Sequence, residues 1–188
     1  MGVRKVAWGI TGSGDRLSEI VGEMRRIKER YGEVEIRVFL SKAGERVVKM
    51  YKLWDELGDA FGDLLVEQDP NTPFLAGALQ TGVYEFFLIA PATSNTVAKL
   101  VVGIADSLIT NSAIQALKVY PPVPVYVMPC DLAEGFVVTR LPTGKELKLR
   151  IRREDVENVR RLMGMEGVKV LKGVDELWAV FRGHFGSP

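Results

Sequence analysis

The stretch from Tyr84 to Lys118 constrains this chain most. An apolar run, Tyr84–Ala90 (YEFFLIA), reaches Pro91 and passes into Thr93, Ser94, Asn95 and Thr96. Val97, Leu100, Val101 and Ile104 then recur at helical spacing. A continuously apolar strand is what a sheet covered on both faces requires. Where such a strand hands over to a helix, the first turn carries unpaired N–H groups and partial positive charge. One Ser or Thr suffices as an N-cap. Four consecutive small polar residues exceed that need and suit an anionic or multiply accepting ligand.

The same strand–turn–helix unit recurs along the chain. Lys5–Ile10 reads as the first strand, Thr11-Gly12-Ser13-Gly14-Asp15 as a glycine-rich turn, and the helix beginning near Arg16 buries Leu17, Ile20, Val21, Met24 and Ile27. Gly32 ends that helix, Val34–Leu40 is a second strand, and Ser41 opens a second helix. Residues Trp54–Thr81, broken by Gly58, Gly62, Pro70 and Pro73, mix short helical and extended pieces. Gly103-Ile104-Ala105-Asp106 breaks the helix that follows the third strand, and a further helix is expected over Ser112–Lys118. Val123–Met128 is a buried strand ending at Pro129-Cys130-Asp131. Phe136–Arg140 and Glu146–Ile151 flank a hairpin turn, followed by a helix (Arg152–Met163), a short strand (Val168–Leu171), a terminal helix (Val174–Phe181) and a fraying end, Gly183–Pro188.

This alternation predicts an α/β fold: a Rossmann-like (flavodoxin-like) three-layer sandwich with a mainly parallel sheet, plus a C-terminal hairpin and helices. At 188 residues and 47% hydrophobic, a single domain over 1–188 is expected. Lys+Arg 25 against Asp+Glu 24 leaves a net charge of +1, which recruits neither nucleic acid nor an acidic membrane surface. No stretch approaches the ~18 apolar residues of a membrane span. The opening residues read as a strand rather than a secretory signal. A single cysteine, Cys130, excludes an internal disulfide and a multi-cysteine metal or iron–sulfur site, so no metal is expected and a reducing cytoplasm fits best.

The glycine turn invites a dinucleotide reading. If Gly12 and Gly14 are the first two glycines of G-x-G-x-x-G, Leu17 stands where the third belongs. The second strand ends in Phe39-Leu40-Ser41-Lys42, with no acid for a ribose. A P-loop lacks its Gly-Lys-Ser/Thr in the first turn. What remains is Thr11, Ser13 and backbone N–H groups, with Ser41 at the next strand end: room for one phosphate, or a tight turn with ordinary caps. A helix N-terminus offers an anion only ~0.3–2 kcal/mol, so affinity would come mainly from contact with a ring.

Taken together, Gly9-Ile-Thr-Gly-Ser13, Ser41, the Ala90–Thr110 segment and Val127-Met-Pro-Cys-Asp131 resemble the flavoprotein superfamily of homo-oligomeric flavin-containing cysteine decarboxylases, and within it the archaeal archaeoflavoprotein and dihydromethanopterin reductase (acceptor) types. The resemblance implies FMN as cofactor. Thr11, Ser13 and Ser41 would hold its phosphate and ribityl hydroxyls, with Gly9 and Gly12 also in the cofactor-binding turn. Ala92, Thr93, Ser94, Asn95 and Thr96 would run along the flavin, and Asp106 would support this loop or a neighbouring subunit's site. It further implies a homo-oligomer built on trimers with FMN at the subunit contact, and electron transfer from a donor such as ferredoxin to an acceptor such as a dihydropterin. A non-catalytic flavin electron carrier is one alternative, and a flavin-dependent cysteine decarboxylase is a second. The decarboxylases' catalytic His and Pro-x-Met-Asn segment have no counterpart, since the lone histidine is His184 and the strand end reads Met128-Pro129-Cys130-Asp131.

Several residues admit two readings. Cys130 is a redox or substrate-contacting thiol, or a small buried side chain. Asp131 binds substrate or caps a turn. Arg150, Arg152, Arg153, Arg160 and Arg161 dock an acidic partner or form a solvated face. Trp8, Trp54 and Trp178 stack on a flavin or pack the core.

Overall fold

A computed structural model describes residues 3–187. The elements, in order, are β1 (Arg4–Ile10), α1 (Leu17–Arg30), β2 (Val34–Leu40), α2 (Lys42–Met50), α3 (Trp54–Phe61), β3 (Leu64–Val66), α4 (Leu75–Gln80) and β4 (Phe87–Ala92). There follow α5 (Ser94–Val102), α6 (Leu108–Leu117), β5 (Val125–Pro129), β6 (Gly135–Arg140), β7 (Glu146–Ile151), α7 (Arg153–Met163), β8 (Val168–Val170) and α8 (Glu176–Phe185).

Six strands form a parallel sheet in the order β3-β2-β1-β4-β5-β8, the Rossmann arrangement, while β6 and β7 pair only with each other, antiparallel. Alternation along the strands sorts the core into two layers. Trp8, Ile10, Val38 and Leu88 face α1, α3 and α8, while Ala7, Phe39, Phe87 and Ile89 face α4, α5, α6 and α7. Both faces are therefore covered, which is why β4 and β5 are apolar throughout and β1 is apolar from Val6 onward.

Register positions the functional end. β1 pairs with β2 from Arg4↔Val34 to Ile10↔Leu40, so the two strands finish level, and Ser41 N–H donates to Ile10 O at 3.1 Å. β1 also pairs with β4, although the chain visits β2 and β3 between them. The winding direction reverses there, and such a reversal leaves a crevice outside the carboxyl ends of the strands.

Four boundaries differ from those expected. β4 begins at Phe87 rather than Tyr84 and runs through Pro91 to Ala92. The proline sits at a register irregularity between Ile89 and Ala92, where the ladder asks no N–H of it. The helix expected from Ser112 starts at Leu108, because Ser107 and Thr110 form a reciprocal capping box. The Trp54–Thr81 region resolves into α3, the edge strand β3 and α4. The end expected to fray is helical to Phe185, since Phe181, His184 and Phe185 pack on Phe86 with ring centroids 4.6–6.2 Å apart. Pro188 lies outside the described residues.

Candidate functional site

The tips of β1, β2, β4 and β5 are tied into one rim. Thr11, 2% exposed, donates its hydroxyl to Pro91 O at 2.8 Å and accepts Thr93 N–H at 3.0 Å, joining β1 to β4 beyond the end of their ladder. Cys130 N–H donates to Ala92 O at 3.1 Å, joining β4 to β5. Arg16 adopts a left-handed backbone (φ 52°) and reaches Pro129 O at 3.0 Å and Lys172 O at 3.3 Å, tying the first turn to the tips of β5 and β8. Thr11 thus serves as a fastener whose hydroxyl already has both partners.

Of the helices starting at the rim, α2 and α5 are capped by their own sequence, while α1 has no side-chain cap at Arg16. Ser41 accepts Gly44 N–H at 2.9 Å, and Thr93 accepts Thr96 N–H at 3.1 Å. The glycine turn owes its composition to close approach: a Cβ on Gly12 would lie 2.6 Å from Ala43 Cβ, and one on Gly14 would collide with the Tyr51 ring.

Two adjoining cavities open at this rim and share Gly12, Thr93 and Asn95. The first, about 440 Å³, is bordered on the sheet side by Ser13, Ser94, Cys130 and Asp131. Its opposite wall is the inner face of the hairpin, where Val137 pairs with Leu149 and Thr139 with Leu147, extended by Leu141. Leu147 and Leu149 are 38% and 45% exposed, an apolar surface turned toward open space. The Tyr51 hydroxyl donates to Arg140 O at 2.9 Å and anchors this wall to the end of α2. The second cavity, about 370 Å³, is polar, lined by Ser41, Lys42, Glu67, Thr96, Lys99 and Thr110 among others. A larger open cleft of about 570 Å³ lies between α1 and the hairpin, but none of the small polar residues at the start of α5 reaches it.

Ser13 and Cys130 form a pair. The thiol donates to Ser13 Oγ at 3.0 Å, and Ser13 Oγ also accepts Asp15 N–H at 3.1 Å, leaving the serine proton for another acceptor. Burial, with Asp15 and Asp131 nearby, pushes the Cys130 thiol up to about 12, against a smaller opposing effect of the Ser13 hydrogen bond. Cys130 is therefore a protonated donor and lacks the thiolate that nucleophilic or redox thiol chemistry requires. Ser94 Oγ–H donates to Asp131 Oδ2.

Most of the expected site residues meet here: Thr11, Gly12, Ser13, Ser41, Thr93, Ser94, Asn95, Thr96, Cys130 and Asp131 line one or both cavities. Gly9 and Ala92 lie buried in the strands behind them. Asp106 lines neither cavity. It is exposed and pairs with Lys99 Nζ at 2.8 Å. Sequence reasoning missed Tyr51, Glu67, Lys99 and the inner hairpin residues, though period-two apolar residues in an isolated hairpin are a signal for a covered face. His184 stands at the opposite, amino end of the sheet, where its Nε2 meets Tyr126 Oη at 2.9 Å and Arg4 reaches its carbonyl at 3.0 Å. It is remote from the rim. Trp8 and Trp178 serve the fold, donating Nε1–H to Ala90 O and to Glu23. Lys49 Nζ lies 4.5 Å from the centre of the Trp54 ring.

An apolar-walled cavity joined to a hydroxyl-lined one with helix N-termini at its edge matches a ligand with a flat ring at one end and an anionic tail at the other. An uncharacterized protein of Methanocaldococcus jannaschii is 52% identical over 180 residues, covering 96% of this chain and 95% of the relative. A dihydromethanopterin reductase (acceptor) of the same organism is 34% identical, covering 95% of this chain and 96% of its own. The crystal structure of Burkholderia xenovorans DmrB in complex with FMN, described as a cubic protein cage for redox transfer, superposes with a TM-score of 0.80 at 33% identity, covering 96% of this chain and 94% of that one. The Flavoprotein family model matches residues 1–177. With the match spanning every strand of the sheet and the whole strand-tip rim, the chain belongs to the Flavoprotein family.

Proposed function

We propose that this chain binds FMN across the two adjoining cavities and acts as an oxidoreductase, passing electrons from a low-potential donor such as ferredoxin to an acceptor of the dihydropterin kind. The observation that carries the reading is the division of the rim into an apolar-walled cavity and a polar one at the helix N-termini. In this reading Leu147, Leu149 and Val137 cover the ring and keep water from it. Ser13, Ser94 and Asn95 orient it, while Ser41 and Thr96 meet the phosphate and ribityl hydroxyls. Bound FMN supplies the electron and hydride chemistry. The chain's own residues need only position it, consistent with a Cys130 held as a thiol and a histidine far from the site.

The same reading extends to assembly as a homo-oligomer based on trimers, with the flavin at the subunit contact. Exposed Phe74, Val102, Ile104 and Tyr120 offer apolar surface for copies to cover. The test is a visible absorption spectrum of the purified protein with mass spectrometry of what heat releases, followed by stopped-flow reoxidation of the reduced protein. FMN release and saturable dependence on dihydropterin are expected. A protein that neither carries nor takes up FMN refutes the proposal, and reoxidation by one-electron acceptors alone reduces it to a flavin electron carrier.

A further inference from the structure

Glu67 is a charged side chain that is only 9% exposed, and nothing above uses it. It follows β3, and its N–H donates to Leu40 O at 2.9 Å, which holds it beside the tip of β2. Its Oε2 accepts Lys42 N–H at 3.1 Å and its Oε1 accepts Leu108 N–H at 3.2 Å. Lys42 and Leu108 are the first residues of α2 and α6, so one carboxylate is shared by the positive ends of two helices. The N-caps of both helices, Ser41 and Ser107, line the polar cavity together with Glu67 itself.

Resting on the FMN reading above, we infer that Glu67 is a specificity-determining residue that restricts the polar cavity to a single phosphate. The cavity, about 370 Å³, has room beyond one phosphate group, so sterics alone do not set the limit. A first phosphate beside Gly12, Ser41 and Asn95 meets hydroxyls and the N-terminal end of α5. A second, further toward α6, meets a fixed carboxylate, and the N–H groups of Lys42 and Leu108 that would otherwise receive it are already taken. Two lysines line the cavity: Lys99 pairs with Asp106 at 2.8 Å, and Lys42, the first residue of α2, lies on the side of the first phosphate. Like charges in a partly enclosed site repel more strongly than in water, and a built-in repulsion against the wrong ligand is a common source of selectivity. The chain therefore discriminates FMN from a flavin carrying a diphosphate by charge.

The experiment titrates flavin-free wild type, E67Q and E67D with FMN and with FAD, following flavin fluorescence, and records the melting temperature of each flavin-free protein. Wild type is expected to favour FMN, and E67Q to narrow the FMN-to-FAD preference by roughly tenfold through a gain in FAD affinity. E67D, which keeps the charge, is expected to keep the preference. Gln retains a carbonyl oxygen for one of the two helix N–H groups, so the fold is expected to survive. An unchanged preference in E67Q overturns the inference, as does an equal loss of both flavins with a lowered melting temperature. Should E67Q fail to fold, the wild-type preference measured against KCl decides: screening narrows it if repulsion sets it, and a salt-independent preference refutes the idea. Wild type that binds no FMN sinks the FMN reading itself, whereas FMN binding with an unaltered preference sinks only the role of Glu67.

Discussion

Cys130 provides a quantitative check on the rim. Its thiol is pushed from an ordinary 9.0 to about 12 by burial, reinforced by Asp15 and Asp131. At pH 8 the thiolate fraction falls about a thousandfold relative to the unfolded chain. A more basic thiolate is also a better nucleophile, with a Brønsted coefficient of about 0.4–0.5. Over three units that recovers about 15- to 30-fold, leaving native Cys130 roughly 30- to 60-fold slower toward an aromatic disulfide such as DTNB before any restriction of access. The assay is DTNB release at 412 nm from flavin-free protein, native and in denaturant, between pH 7 and 10. The native rate is expected to climb tenfold per pH unit across the whole range, while the unfolded chain levels off near pH 9. A native plateau below pH 9, or a rate equal to that of the unfolded chain, would refute the assignment of Cys130 as a protonated donor and reopen thiol chemistry at the site.

Three further outcomes follow from the geometry. Ser13→Asp keeps an acceptor for Asp15 N–H but adds a negative charge at the rim. FMN content is expected to drop at least tenfold with little change in melting temperature, and unchanged flavin content would contradict the placement of Ser13. Trp8→Phe removes a buried donor 2.7 Å from Ala90 O and is expected to cost about 1–3 kcal/mol in urea unfolding; a loss below about 0.5 kcal/mol would show that the bond contributes little. Burial lowers the pKa of His184, so the folded state favours the neutral ring, whose Nε2 lies 2.9 Å from Tyr126 Oη. Stability should fall as pH drops through the ordinary histidine value of 6.5, where the unfolded chain takes up a proton that the folded one resists. The His184→Gln variant should lose that slope, and a wild-type melting temperature flat between pH 7 and 5 would argue against it.

The strands were legible because a parallel sheet covered on both faces favours apolar runs: Val125–Met128 is unbroken, and Val34–Leu40 sets Val34, Ile36, Val38, Phe39 and Leu40 around half-buried Glu35 and Arg37. The rim was legible because Ser13, Ser41 and Thr93 stand where a strand hands over to a helix, a local pattern. Features that depend on distant neighbours were hidden. The docking of α8 turns on Phe86 and Tyr126, rings 98 and 58 positions before His184. Glu67 joins helix starts 25 and 41 positions away. The start of α6 was missed because Ser107 and Thr110 cap it only when read as a reciprocal pair, while Gly103–Asp106 drew the break further along.

The outermost strands of the main sheet, β3 and β8, are three residues each. So short a border offers few unpaired peptide groups for another chain to continue the ladder. In the proposed assembly, copies would therefore meet through helical or hairpin surfaces rather than by continuing the main sheet from one molecule into the next.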